Sequence, residues 1–90
     1  MGAVRQYARL RGWLVYHTYD SRRSAHGFPD LVLVRDGRIV FAELKAEHGR
    51  TSDAQHDWLA ALGIAAARNP TVEAHLWRPS DWPTIEATLR

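Results

Sequence analysis

GFPDLVLVRDGRIVFAELKAEHGR, residues 27–50, decides how this chain reads. Asp36-Gly37 separates two apolar runs, DLVLV (30–34) and RIVFAEL (38–44). That dipeptide is the strongest short-range signal for a β-hairpin closed by a two-residue type I′ turn. Such a turn fixes the register. Arg35 then faces Arg38, Val34 faces Ile39, Val32 faces Phe41 and Asp30 faces Glu43. Directly opposed residues point to the same side of a sheet, with Cβ atoms about 4.5–5.5 Å apart. The expected hairpin therefore sets two carboxylates side by side. Both runs are almost continuously apolar, which predicts strands buried on both faces.

Two like charges at that separation repel, and burial strips each of water. Either one acid takes a proton or a cation sits between them. Lys45 is two residues beyond Glu43 and projects to the same face. It can neutralise one charge but not both. A divalent cation can, and Mg²⁺ commonly uses one or two carboxylates while keeping waters or phosphate oxygens. Such an ion polarises a phosphoryl oxygen and acidifies a bound water. Lys45 would stand beside that water. It is the only lysine among twelve Lys and Arg residues, and lysine shifts its pKa where arginine does not. The plain alternative is that Asp30 starts a strand and Glu43 and Lys45 are a solvated strand end.

Outward from the hairpin, residues 3–11 read as a short helix ended by Gly12, with Val4, Ala8 and Arg11 on one side. WLVYHT (13–18) is β-branched and aromatic, a strand. YDSRRSAHGFP (19–29) is a polar loop. TSDAQHDWLAALGIAAA (51–67) is a helix with Ala54, Trp58, Leu62 and Ala65 on one face. TVEAHLW (71–77) is a strand, and RPSDWPTIEATLR (78–90) enters a last helix capped by Ser80 or Asp81, with Pro83 in its first turn. The order is α-β-β-β-α-β-α. It predicts an α/β fold, one mixed central sheet flanked by helices, in a single domain over 1–90.

Composition narrows the function classes. A hydrophobic fraction of 46% argues against disorder. Absence of cysteine removes disulfides and thiolate zinc sites, and the five histidines lack zinc spacing. No apolar run suits a signal peptide or a membrane span, so a cytoplasmic location is the default expectation. A net charge of +2, almost all of the positive part arginine, is compatible with a nucleic-acid partner. A core this small makes a homodimer a reasonable expectation.

With those residues in place a resemblance follows. Asp30 with Glu43-Leu44-Lys45 resembles the PD-(D/E)xK signature of the restriction-endonuclease-like phosphodiesterases. The longer string, from GFPDL through DGRIVFAELK to GRTSDAQ, is similar to the VRR-NUC group of virus-type replication and repair nucleases. The similarity runs from about Gly12 to the chain end, tail LWRPSDWPTIEATL included. It implies a restriction-endonuclease-like αβββαβ core with a short C-terminal helix. It also implies a Mg²⁺- or Mn²⁺-dependent endonuclease acting on DNA, often branched or flapped, in phage or bacterial replication and repair, and often as a homodimer. Carried over, Asp30 and Glu43 would bind metal, the Leu44 carbonyl would add a third ligand, and Lys45 would be catalytic. Gln55 would reach the site, and Gly27 would let the chain turn before Pro29. One departure stands out: relatives commonly carry an acid on the first helix, whereas no acid precedes Asp20. That departure favours the rival, a weak or inactive DNA-binding module of the same fold. A purely structural partner is a third possibility.

Gln55 has a second reading, because SDAQ (52–55) is a capping box in which Gln55 reaches back to the amide of Ser52. The two roles can coexist. His17 ends the first strand and would touch the scissile phosphate if that strand neighbours the hairpin. Arg22, Arg23 and Arg50 flank the acids and would offset their repulsion of a phosphate backbone. Trp13, Trp58, Trp77 and Trp82 read as packing residues.

Overall fold

The computed structural model describes residues 2–18 and 26–90. In chain order it contains α1 (Gly2–Leu10), β1 (Leu14–His17), β2 (Leu31–Arg35), β3 (Arg38–Leu44), α2 (Asp53–Arg68), β4 (Val72–Trp77), a 3₁₀ turn (Pro79–Asp81) and α3 (Trp82–Leu89). The sheet order is β1-β2-β3-β4. β1/β2 and β2/β3 are antiparallel and β3/β4 is parallel. A parallel neighbour needs a crossover, and α2 supplies it.

The hairpin forms in the register set by its turn: Arg35 faces Arg38 and Leu31 faces Ala42. Asp36 (φ 50°) and Gly37 (φ 81°) both take the positive φ that a type I′ turn demands. On one face of the sheet Leu31, Leu33, Val40, Ala42 and Trp77 pack with Val4, Ala8, Trp13, Ile85 and Leu89. Arg35 and Arg38 close the far end of this core, stacked over the Trp13 ring at 4.5 and 4.9 Å. Arg35 donates to the carbonyls of Arg11, Leu89 and Arg90. Arg38 donates to that of Thr88. Cations thus meet the negative C-terminal ends of α1 and α3.

Two expectations are corrected. The strands are buried along one face and only in part on the other. α2 packs over β4, and Phe28 wedges between Phe41 and Trp58 at ring distances of 6.2 and 5.0 Å. The rest of that face stays open: Leu14 is 74% exposed, Tyr16 59%, Val34 38% and Ile39 36%. The apolar content of these strands exceeds what one crossover helix can cover. The last helix has Asp81 at its N-cap and Pro83 in its first turn as expected, but no side-chain bond closes the cap. Ser80 and Asp81 fall in the 3₁₀ turn, and the Asp81 carboxylate instead accepts the Arg78 N–H at 2.8 Å. Among the described residues no helix is long and apolar enough to cross a membrane.

Candidate active site

The site lies where β1, β3 and β4 end and β2 begins. Asp30 immediately precedes β2 and Glu43 is the penultimate residue of β3. By continuation of the ladder they oppose each other on the α2 face. Glu43 is 1% exposed, the one polar residue that is buried among the described residues. The two acids are interlocked. The Asp30 N–H donates to Glu43 Oε1 at 3.1 Å, and the Leu44 N–H donates to Asp30 Oδ2 at 2.9 Å. Their carboxyls are also in hydrogen-bonding reach of each other. Burial, then that side-chain hydrogen bond and the Asp30 charge, push Glu43 up to about 7. The Asp30 N–H and the Lys45 charge pull the other way and do not win.

Lys45 is half-buried, and its own N–H is fixed by the Trp77 carbonyl at 2.9 Å. Its amine forms no ion pair with a described acid. Among the described residues no cation pairs with the carboxylates, and the proton that Glu43 holds up to about pH 7 relieves their repulsion, one of the two outcomes the sequence left open.

Pro29 is buried and opens the ladder next to the acids. In the hairpin register Leu44 faces Pro29, as Leu31 faces Ala42. Proline has no N–H, so the Leu44 carbonyl has no ladder donor opposite it. Thr18 braces this break. Its N–H donates to the Asp30 carbonyl at 2.9 Å and its hydroxyl to that of Pro29 at 3.3 Å.

Gly27 joins the break to α2. Its φ is +83°, and a Cβ there would lie 2.4 Å from the carbonyl carbon of Ala54 and 2.6 Å from the Gln55 nitrogen. The chain before Asp30 thus rests directly on the first turn of α2. Both capping-box bonds form: Ser52 N–H to Gln55 Oε1 at 2.9 Å, and Gln55 N–H to Ser52 Oγ at 3.2 Å. That leaves the Gln55 Nε2 donors without a described partner.

The other named residues are not drawn together to the same degree. Arg50 is exposed in the loop between β3 and α2. Arg22 and Arg23 lie outside the described residues. His17 pairs with Leu31 and therefore points to the α1 face, opposite the acids. Its Nδ1 lies 3.4 Å from Arg5 Nη1. Burial, then the Arg5 guanidinium, hold its pKa below the usual histidine range, while Asp30 pulls it up.

One brace escaped the sequence reading. Arg78 donates to the carbonyls of Ala46 (2.7 Å), Glu47 (3.2 Å) and Gly49 (2.8 Å), which pins the loop after Lys45. Glu47 accepts from the N–H and hydroxyl of Ser80 at 2.9 and 2.6 Å, and these bonds hold its pKa low. No local pattern announces a contact some thirty residues away in sequence.

Asp30, Glu43, Lys45 and Gln55, with the hairpin strands and α2, all fall inside residues 3–70, the stretch that matches the VRR-NUC domain. The chain belongs to the VRR-NUC family. It is therefore a nuclease of the PD-(D/E)xK type, with the Pro29-Asp30 and Glu43-Leu44-Lys45 segments in the expected hairpin. The VRR-NUC match takes in α1 and stops before β4, so Arg78 and α3 lie beyond it. No curated protein matches the chain.

The donor set suits a hard divalent ion. Two carboxylates and a carbonyl without a ladder donor are all oxygen ligands, the kind Mg²⁺ and Mn²⁺ take. No third His, Asp or Glu joins them among the described residues.

Proposed function

We propose that this VRR-NUC chain is a Mg²⁺- or Mn²⁺-dependent endonuclease that hydrolyses DNA phosphodiester bonds at the Asp30–Glu43 pair. The observation that carries this reading is a buried Glu43 opposite a half-buried Asp30, with no described side chain in ion-pair contact with either, beside a carbonyl that has no ladder donor opposite it. Asp30, Glu43 and the Leu44 carbonyl would hold the ion. When bound, such an ion polarises a phosphoryl oxygen and makes a coordinated water a better nucleophile. Lys45 orients the attacking water. Gln55 offers its Nε2 donors to the attacked phosphate. His17, Arg22, Arg23 and Arg50 contact the backbone on either side. The N-termini of α1, α2 and α3 all lie at this end of the sheet, which adds favourable field for an anionic substrate. Selectivity for branched or flapped DNA in phage or bacterial replication and repair rests on the family resemblance.

The active unit is a homodimer. The support is the open face of the sheet, where Leu14, Val34 and Ile39 form one row across three strands. The row carries no charge, so a second copy can lie on it without burying an unpaired ion.

Cleavage of flapped and branched DNA by the parent, Asp30→Ala and Lys45→Ala in Mn²⁺ tests the mechanism. Both variants should lose activity by at least about 10²-fold with the fold retained. Cutting by Asp30→Ala at the parent's rate would refute it. The α1 sequence GAVRQYARL contains no acid, which favours a second reading, a DNA-binding module that turns over poorly. DNA binding without turnover in the parent would select that reading.

A further inference from the structure

We propose that Arg5, with His17 beside it, is a phosphate-binding site of this nuclease, taking a backbone phosphate adjacent to the one that is cut. The proposal rests on the nuclease reading above and extends it to substrate grip.

Four of the described arginines are half-buried: Arg5, Arg35, Arg38 and Arg78. Three are committed to the protein. Arg35 and Arg78 each serve three carbonyls. Arg38 is paired with Glu73 at 2.7 Å and bonded to the Thr88 carbonyl. Arg5 differs in kind. Its described partner is a base, His17 Nδ1 at 3.4 Å, and no described carboxylate lies within ion-pair distance. A guanidinium only donates, so the contact places the acceptor on His17 Nδ1. Arg5 keeps its whole charge and most of its five donors. None of its nitrogens is buried without a partner, so these donors reach solvent.

The location is what turns a spare cation into a site. His17 ends β1 opposite Leu31, next to Asp30, and the following N–H of Thr18 donates to the Asp30 carbonyl. Arg5 therefore sits at the same end of the sheet as the acids, on the opposite face. A nucleic-acid backbone that crosses this end meets the carboxylates on one side and the guanidinium on the other. The carboxylates alone repel it, and a cation across the strand ends offsets that repulsion. The planar fork of arginine fits two phosphate oxygens at once. Arg9 is one turn further along α1 and exposed, so it extends the same positive strip.

The test is the salt dependence of binding to a flapped DNA duplex, by fluorescence anisotropy in EDTA so that nothing is cut. Loss of one phosphate contact should lower the slope of log K against log salt by about 0.9. Arg5→Gln should show that drop, with affinity about tenfold weaker at low salt. Arg5→Lys should keep the slope. Arg68→Gln, at the far end of α2, should change neither. An unchanged slope in Arg5→Gln overturns the site, as does an equal loss in Arg68→Gln or a parent that binds no DNA. The parent gives a second readout that needs no variant. The Arg5 Nε–H and His17 ring resonances should move together on addition of a short oligonucleotide, and silence of both overturns the site. The nuclease mechanism fails separately. If Asp30→Ala cuts like the parent while the slope still depends on Arg5, the phosphate site stands and the proposed chemistry falls.

Discussion

Glu43→Gln should stabilise the metal-free protein, although it alters a buried residue of the site. Folding carries the Glu43 carboxyl from its ordinary value of 4.5 to about 7. Between these two values the unfolded chain has released the proton and the folded chain still holds it. Fewer protons on the unfolded state means that stability falls as pH rises through this window. At pH 8 the folded protein carries the full penalty, roughly 3 kcal/mol for a displacement of that size. Glutamine removes the ionisation and keeps the geometry. Its Oε1 can still accept the Asp30 N–H, and its amide can donate to the Asp30 carboxylate. In EDTA at pH 8 the variant should gain up to roughly 3 kcal/mol. With m near 1 kcal/mol/M, the urea midpoint should rise by about 2–3 M. At pH 4.5 the two proteins should unfold alike. Mn²⁺ at about 1,000 times its Kd should reverse the order at pH 8, since it adds about 4.1 kcal/mol to the parent and little to the variant. A variant that is no more stable than the parent in EDTA at pH 8 would refute the claim that these carboxyls are forced together.

Other expectations follow from the same geometry. Pro29→Ala returns an N–H opposite the Leu44 carbonyl, so Mn²⁺ affinity measured by calorimetry should fall while the hairpin persists. Gly27→Ala sets a Cβ 2.4 Å from backbone, about 1 Å inside ordinary contact, at a φ of +83°. The first turn of α2 must retreat, and chemical denaturation should show a loss of at least about 1–2 kcal/mol, with cleavage down about 10²-fold. Leu14→Asp places a charge in the open apolar row. It should turn a dimer into a monomer in light scattering without lowering monomer stability, and a dimer that survives unchanged would place the interface elsewhere.

Much of this protein was legible in local sequence, because its decisive feature is local. A two-residue turn with positive φ at Asp36 and Gly37 sets the register, and register plus the two-residue period of a strand dictates that Asp30 meets Glu43 and that Lys45 shares their face. The capping box at Ser52 and Gln55 is equally short-range. The pattern of apolar runs yielded the element order because each run matches one period. Only the tertiary structure decided what surrounds these elements. Continuous apolarity in β2 and β3 could not say how far one helix reaches, and α2 leaves Leu14, Val34 and Ile39 uncovered. The contact of Gly27 with the Ala54–Gln55 peptide, the grip of Arg78 on the loop after Lys45 and the pairing of Arg5 with His17 join residues distant in the chain. Such contacts depend on how elements stack, and no spacing along the sequence encodes that.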